Sequence, residues 1–140
     1  MFTIDTSTPF GARIEKQLAG EQVLWLTTVG KSGTPAPNPV WFSWNGRELL
    51  VFSQPAKAKV RNVESQPRVA LHFNATFTGG DVGVISGSAV VDPAGPSEEE
   101  RAVYDAKYAE GLASLSMSPA DFHADYSVLL RITPDKLRGF

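Results

Sequence analysis

Residues 49–62 read LLVFSQPAKAKVRN, an apolar run followed directly by a basic segment. The run Leu49–Phe52 has the length and the composition of a buried β-strand. Ser53 is a favourable helix N-cap, and Pro55 suits the first helical turn, where the missing N–H group of proline costs nothing. The segment therefore predicts a strand followed by a helix that begins near Ser53.

The beginning of this helix is basic. Lys57, Lys59 and Arg61 crowd its first turns, and the first acidic residue is Glu64. Because the helix dipole favours negative charge at the N-terminus, each cation there is unfavourable by about 0.3–1 kcal/mol. A bound anion reverses that sign, since backbone N–H groups, the dipole and cations together bind phosphate. A solvated basic helix face explains the pattern equally well, and the spacing alone leaves both interpretations open.

Composition excludes several classes of function. The 140 residues are 42% hydrophobic with a net charge of −2, which suits one globular domain, 1–140, and argues against nucleic-acid binding and a polybasic membrane patch. The absence of cysteine excludes disulfides and thiol catalysis and is compatible with a cytoplasmic protein. His72 and His123 are far apart in sequence, so we expect no metal site. The first residues do not resemble a signal peptide, and no apolar run is long enough for a membrane span.

The hydrophobic pattern predicts a mainly β protein with flanking helices. Strands are expected at residues 23–29, 40–44, 48–52, 68–77, 82–91 and 128–132, the last extended by residues 133–140, and helices at 8–20, 53–66, 97–109 and 118–125. The connections are too short for a run of parallel crossovers, so an antiparallel β-barrel with helices packed outside is favoured. Gly83 and Gly87 in one strand indicate a bend or bulge.

A proline-rich segment precedes the second strand. Prolines at positions 35, 37 and 39 cannot donate ladder hydrogen bonds, which predicts an extended edge or bulged strand. Such a strand leaves backbone groups around Asn38–Phe42 free to bind the edge of a planar ring. Trp41 either packs near such a ring or belongs to the core or a subunit interface, whereas Trp44 is expected in the core or a subunit interface.

The sequence contains no recognisable catalytic motif. No serine lies in a G-x-S-x-G pattern, and neither histidine belongs to a triad motif. The acidic run Glu98–Glu100 is explained by helix capping after Ser97. The chemistry is therefore expected to belong to a cofactor that the protein positions, and no catalytic side chain is assigned.

Several stretches in order resemble the pyridoxamine 5′-phosphate oxidase-like split β-barrel superfamily. They are Leu26–Val29 with Gly33–Pro35, Pro39–Phe42, Ser53–Lys59 with Arg61–Val63, Pro67–Leu71 and Arg131–Phe140. Within the superfamily, the chain is most similar to actinobacterial flavin/deazaflavin oxidoreductases that use coenzyme F-420.

This resemblance implies a six-stranded antiparallel split barrel of the FMN-binding type. It also implies a homodimer with the cofactor in a groove between the subunits. The residues implied at the pyrimidine edge of the ring are Asn38, Pro39, Val40 and Trp41. Those implied around the phosphate are Ser53, Gln54, Lys57, Lys59 and Asn62, with Ala58 beside them.

Flavin-using relatives commonly carry an adjacent Arg-Lys pair where this chain has Ala58-Lys59. That difference favours coenzyme F-420 over FMN, and the resemblance implies Arg61 or Arg68 as a partner for the acidic tail of F-420. The expected function is an F-420-dependent oxidoreductase that passes a hydride to an unsaturated small molecule. The alternatives are an FMN-dependent reductase or oxidase, a non-catalytic cofactor carrier, and a structural interaction module. The segments 77–81 and 111–125 are candidates for the substrate pocket.

Overall fold

The computed structural model describes all residues of the chain, Met1–Phe140. The helices are α1 (Pro9–Gly20), α2 (Ala58–Ser65), α3 (Glu98–Lys107), α4 (Ala109–Ser114) and α5 (Pro119–Asp125). The strands are β1 (Leu24–Val29), β2 (Pro35–Val40), β3 (Ser43–Trp44), β4 (Leu49–Ser53), β5 (Arg68–His72), β6 (Gly83–Asp92) and β7 (Val128–Gly139). None of the helices has the length and apolar character needed to cross a membrane.

All strands form one curled antiparallel sheet in the order β2-β1-β5-β6-β7-β4-β3. The predicted class, mainly β with flanking helices, is confirmed. The sheet has seven strands rather than six because the chain bends between Val40 and Ser43 and leaves β3 as a separate two-residue strand. The proline-rich strand β2 lies at an edge, where its prolines need not donate to a second neighbour.

The bulge predicted in β6 is present, and β5 is shorter than predicted. The pairing of β6 with β7 shifts register between Ser86 and Gly87, which confirms the expected bulge. A Cβ at Gly87 would lie 2.5 Å from the backbone oxygen of Thr133, so only glycine allows this close approach. The strand expected over 68–77 ends at His72, because residues after Phe73 leave the sheet and form a turn.

The sheet buries apolar residues on both faces. The inner face and α1 form a core of sixteen residues that includes Ile14, Leu26 and Ile132. The outer face of β4 and β7 packs against helices α3–α5 through a second cluster. Its members are Leu50, Phe52, Tyr104, Tyr108, Leu112, Phe122 and Leu129. This second cluster forms the base of the candidate site.

The expected helix start at Ser53 is wrong. Ser53 is the last residue of β4, where it is fully buried and pairs with Val128 of β7. The chain then turns through Ala56, which has a left-handed φ of 62°, and α2 begins only at Ala58. Strand pairing with β7 therefore outweighs the capping preference of Ser53, and the N-cap position falls to Lys57.

Candidate functional site

A cavity of about 480 Å³ lies between the end of β2, the start of α2 and helices α3–α5. Its thirteen lining residues are Asn38, Pro39, Val40, Trp41, Phe52, Gln54, Lys57, Lys59, Tyr104, Leu115, Met117, Phe122 and Tyr126. Seven of them are candidate site residues from the sequence, although they come from two segments separated by strands β3 and β4. The cavity has one basic end and one aromatic end.

The basic end is formed by Lys57 and Lys59 at the start of α2. Gln54 lies beside them, and its side-chain amide donates to Asp125 Oδ2 of α5 at 3.0 Å. Burial, together with repulsion from Lys57, lowers the pKa of Lys59 below its usual value. The N-cap Lys57 provides no side-chain hydrogen bond, and the first turn of α2 contains no acidic residue. The positive end of the helix dipole and two ammonium groups thus lie together without a protein counter-ion in that turn, which suits a bound anion.

The aromatic end is organised around Trp41. Its ring stacks on Tyr108 with centroids 4.3 Å apart and planes 5° apart, and it lies 5.9 Å from the ring of Phe122. Helix α4 approaches the indole closely, since a Cβ at Gly111 would lie 3.0 Å from its Cη2 atom. Trp41 is therefore a fixed wall of the cavity, packed against the helices that cover the sheet.

The backbone next to Trp41 is held by two residues at the end of α3. The amide N–H of Phe42 donates to the Tyr108 hydroxyl at 2.8 Å, and Lys107 Nζ donates to the Phe42 carbonyl at 2.8 Å. The Lys107 ammonium also lies 3.7 Å from the centroid of the Phe42 ring. Burial lowers the pKa of Lys107 to about 8. These contacts fix the bend between β2 and β3 and with it the position of Trp41.

Three candidate residues lie outside the cavity lining. The buried Ser53 hydroxyl donates to the backbone oxygen of Gln54 at 2.8 Å. The Asn62 side chain donates to Thr28 Oγ1 at 3.0 Å and faces a neighbouring groove, and Ala58 has no side chain that reaches the cavity lining. These positions support the start of α2 and its contact with β1.

Arg61 and Arg68, the two arginines expected to bind the acidic tail of F-420, differ in whether they already have an acidic partner. Arg61 lines the neighbouring groove together with Lys31, and it also donates to the backbone oxygen of Ala56. Arg68 forms an ion pair with Asp135 and donates to Ser88 at 2.8 Å. Arg68 is therefore already paired, and Arg61 is the better candidate of the two.

The remaining lining residues were not individually predicted from the sequence. They are Phe52, Tyr104, Leu115, Met117, Phe122 and Tyr126. Three of them fall within segment 111–125, which was a candidate for the substrate pocket, whereas no residue of 77–81 lines the cavity. The sequence around Tyr104 gives little indication of a site residue, because a tyrosine on an apolar helix face most often belongs to the core.

Neither histidine lines the cavity. His72 stacks on Trp25, with centroids 6.2 Å apart. His123 has a side chain only 8% exposed, and its Nε2 atom lies 2.7 Å from Asp105 Oδ1. No group of three or more His, Cys, Asp or Glu side chains is placed to hold a metal ion.

A second cavity of about 670 Å³ lies between the β3–β4 turn and the start of α3. Its charged lining consists of Glu48, Glu99, Glu100 and Arg47. The excess of carboxylates makes it unsuitable for a phosphate group. The smaller cavity, with its two lysines and its aromatic wall, is the better candidate site.

The lining of the smaller cavity fits a molecule that carries a planar conjugated ring and an anionic group. Trp41, Phe52 and Phe122 offer apolar ring surfaces, and the lysines offer charge-assisted hydrogen bonds to phosphate. No side chain of the lining is a carboxylate or an imidazole. The arrangement can bind, orient and shield such a molecule, and its protonated side chains are those of lysine and tyrosine.

Comparison with known proteins agrees with this fold. The family described as pyridoxamine 5′-phosphate oxidase matches residues 10–140. No curated protein is significantly similar to the chain.

Solved structures of the same fold include the heme storage protein HutZ from Vibrio cholerae, with 20% identity, a TM-score of 0.70 and coverage of 94% of this chain and 95% of that one. An F-420 reductase has 24% identity and a TM-score of 0.63, with 89% and 94% coverage. A putative pyridoxamine 5′-phosphate oxidase from Listeria innocua has 20% identity and a TM-score of 0.67, with 91% and 94% coverage. At these identities the similarities establish the fold, and the family match extends over nearly the whole sequence. The chain therefore belongs to the pyridoxamine 5′-phosphate oxidase family.

Proposed function

We propose that this chain is an oxidoreductase that uses coenzyme F-420 and transfers a hydride between the deazaflavin and an unsaturated small molecule. The observation that carries the proposal is the two-ended cavity. Lys57 and Lys59 lie at one end beside the start of α2, and Trp41 and Phe122 form an aromatic wall at the other. This combination suits a cofactor with a planar ring and a phosphate.

Two features favour F-420 over FMN. Ala58 occupies the position where flavin-using relatives commonly have arginine, so the phosphate would rely on lysines alone. The groove beside α2 also presents Lys31 and Arg61 against one carboxylate, Glu64, and this positive balance suits the acidic tail of F-420. FMN has no such tail and would gain nothing from these cations.

When bound, the deazaflavin would supply the hydride, and the protein would supply position and electrostatics. Lys57 and Lys59 would hold the phosphate by charge-assisted hydrogen bonds. Trp41, fixed by its contact with Tyr108, forms the wall against which the ring is oriented. Leu115 and Met117 would cover part of the ring, and the proton of the product would come from bulk water.

We also propose that the functional form is a homodimer whose second copy covers the open side of the cavity. Asn38 and Pro39 on the edge strand are exposed, and the side chain of Leu115 beside them is 59% exposed. Light scattering coupled to size-exclusion chromatography should give twice the 15.1 kDa mass of the chain. A monomer at micromolar concentration would contradict this part of the proposal.

Turnover is the direct test of the proposed reaction. Reduced F-420 is incubated with a panel of conjugated enones and quinones, and its reoxidation is followed by absorbance with and without the protein. We expect the protein to accelerate reoxidation with at least one acceptor. Tight binding of F-420 without acceleration by any acceptor would favour a carrier, and turnover with FMN alone would favour the flavin alternative.

Similarity to a heme storage protein makes haem a further ligand to test. The cavity offers no histidine, and both histidines of the chain are engaged elsewhere, His123 with Asp105 and His72 with the backbone oxygen of Phe73. The cavity therefore provides no imidazole for haem iron, which favours the deazaflavin.

A further inference from the structure

Two tyrosines lie one helical turn apart at the end of α3, and both are fully buried. The hydroxyl of Tyr108 accepts from the amide of Phe42 at 2.8 Å. It also lies 2.9 Å and 2.8 Å from the carbonyl oxygens of Phe42 and Gln22, either of which accepts its proton. The hydroxyl of Tyr104 has no hydrogen-bond partner. Tyr108 thus has a structural role, whereas the hydroxyl of Tyr104 is unexplained.

An unpartnered buried hydroxyl is unusual, because folded proteins pair nearly all of their buried polar groups. The surroundings of the Tyr104 ring explain why the chain itself offers no hydrogen-bond partner for this hydroxyl. Three neighbours are aromatic, with Phe52 at 4.7 Å, Tyr108 at 4.8 Å and Phe122 at 5.7 Å between ring centroids. The ring of His123 lies 6.0 Å away, but its Nε2 atom is paired with Asp105 and it makes no hydrogen bond to Tyr104. A phenylalanine at position 104 would make the same ring contacts without burying an unpaired hydroxyl.

Tyr104 is also part of the cavity lining, together with Trp41, Phe122 and Tyr126. The hydroxyl itself is fully buried, so a ligand held in the cavity can pair with it once a neighbouring ring moves aside. Burial raises the pKa of Tyr104 far above its usual value, so the group keeps its proton and can donate.

We propose that Tyr104 is a ligand-binding residue whose hydroxyl donates a hydrogen bond to a carbonyl oxygen or ring nitrogen of the conjugated molecule held in the cavity. The proposal rests on the proposed function for the identity of that molecule. It assigns the aromatic end of the cavity a specific polar contact, in addition to the lysines at the basic end. A polar group at this depth selects a heterocycle over a plain hydrocarbon of the same shape.

The test compares Tyr104→Phe with Tyr108→Phe, two variants that remove the same atom from neighbouring positions. Thermal unfolding is measured without ligand, and the dissociation constant for F-420 is measured by fluorescence titration. Tyr104→Phe should leave the melting temperature unchanged or raise it, and it should weaken F-420 binding roughly threefold to tenfold. Tyr108→Phe should lower the melting temperature by several degrees, because it leaves buried backbone groups without partners.

Two outcomes would overturn this inference while the proposed function stands. One is a dissociation constant for F-420 that is the same in Tyr104→Phe and in the wild type, which would show that the hydroxyl contacts no ligand. The other is a loss of melting temperature in Tyr104→Phe as large as that in Tyr108→Phe, which would show a structural partner. Wild-type protein that binds neither F-420 nor FMN would overturn the proposed function itself, and this inference with it.

Discussion

Lys59 is expected to favour ligand binding and to reduce the stability of the ligand-free protein. Its ammonium group is half-buried and is repelled by Lys57, and both effects lower its pKa. Holding this charge at the start of α2 therefore costs free energy in the empty protein. A bound phosphate removes that cost, because it provides an opposite charge and accepts hydrogen bonds from the ammonium.

Replacing Lys59 by alanine should accordingly separate affinity from stability. A charge-assisted hydrogen bond contributes about 1.5–3 kcal/mol, so Lys59→Ala should weaken F-420 binding about tenfold to a hundredfold. The melting temperature of the ligand-free variant should be unchanged or slightly higher. Lys16→Ala, which removes an exposed lysine of α1, is the control and should alter neither quantity. Equal affinity of Lys59→Ala and wild type would remove the phosphate assignment.

The residues of the site differ in how far they could be predicted from sequence. The lysines are recognisable because their signal is local, a basic cluster directly after an apolar strand. Trp41 could be assigned neither to a ligand nor to the core, since its orientation depends on stacking against Tyr108, 67 residues later in the chain. Tyr104 carries no local signal, because its missing hydrogen-bond partner is visible only in three dimensions.

At the level of elements, helix α3 connects fold and site. It begins with a capping box in which the Ser97 hydroxyl accepts from the Glu100 amide at 3.1 Å, and the Glu100 carboxylate accepts from the Ser97 amide at 3.0 Å. Its C-terminal half provides Tyr104 to the cavity lining and Tyr108 at its C-cap to the bend beside Trp41. The start of the helix therefore stabilises the element from which the aromatic end is built.

Ser97→Ala should destabilise the protein without changing the site. Loss of an N-cap hydroxyl costs about 1 kcal/mol, which for a chain of this size lowers the melting temperature by roughly 2–5 °C. The affinity for F-420 below the transition should be unchanged, because Ser97 lies outside the cavity. The exposed Ser127, between α5 and β7, offers a control in Ser127→Ala. An unaltered melting temperature in Ser97→Ala would show that the capping box contributes little.

The starts of α3 and α2 show why a capping pattern in the sequence predicts one helix start correctly and another wrongly. The capping box at Ser97 was predicted correctly, since the preceding residues, a turn after β6, make no competing sheet pairs. Ser53 had an equally favourable sequence context, yet it continues β4 because its backbone pairs with Val128 at the far end of the chain. Pairing partners distant in sequence are invisible to capping preferences, so the start of α2 was placed too early.

For the whole molecule, Arg131 of β7 joins three elements on the outer side of the sheet. Its guanidinium donates to Glu100 of α3 at 2.7 Å and 3.1 Å, to Asp92 of β6 at 3.0 Å and to Glu48 beside β4 at 3.2 Å. The hydrogen bonds from Arg131 lower the pKa of Glu100 to about 2. This network attaches the helical layer to the sheet.

The network predicts a specific loss of stability in acid. Glu100 has a pKa of about 2 in the folded protein and an ordinary value of 4.5, so the unfolded chain takes up its proton first as the pH falls. The stabilisation is therefore complete above pH 4.5 and is lost between pH 4.5 and 2. Glu100→Gln keeps the capping geometry and removes the charge. Its melting temperature should be lower than that of wild type at pH 7, and the difference should shrink towards pH 2. A difference independent of pH would contradict this account.

The overall fold was predicted more completely than the site. Alternating strands, short connections and the edge position of the prolines each follow from local sequence, and together they favour a curled antiparallel sheet with outer helices. The strand count differed by one, because the bend after Val40 is imposed by Tyr108 and Lys107 from α3 and its C-cap. The cavity could not be outlined from sequence, since its lining comes from several elements that meet only in the folded chain.

The most direct measurement is a fluorescence titration of the wild-type protein with F-420, with a parallel titration with FMN under the same conditions. We expect F-420 to bind with a micromolar or smaller dissociation constant and FMN to bind more weakly. Saturation at about a hundredfold over that constant should also stabilise the protein by ~2.7 kcal/mol. Tighter binding of FMN would contradict the assignment of the cofactor, and binding of neither would contradict the assignment of the cavity.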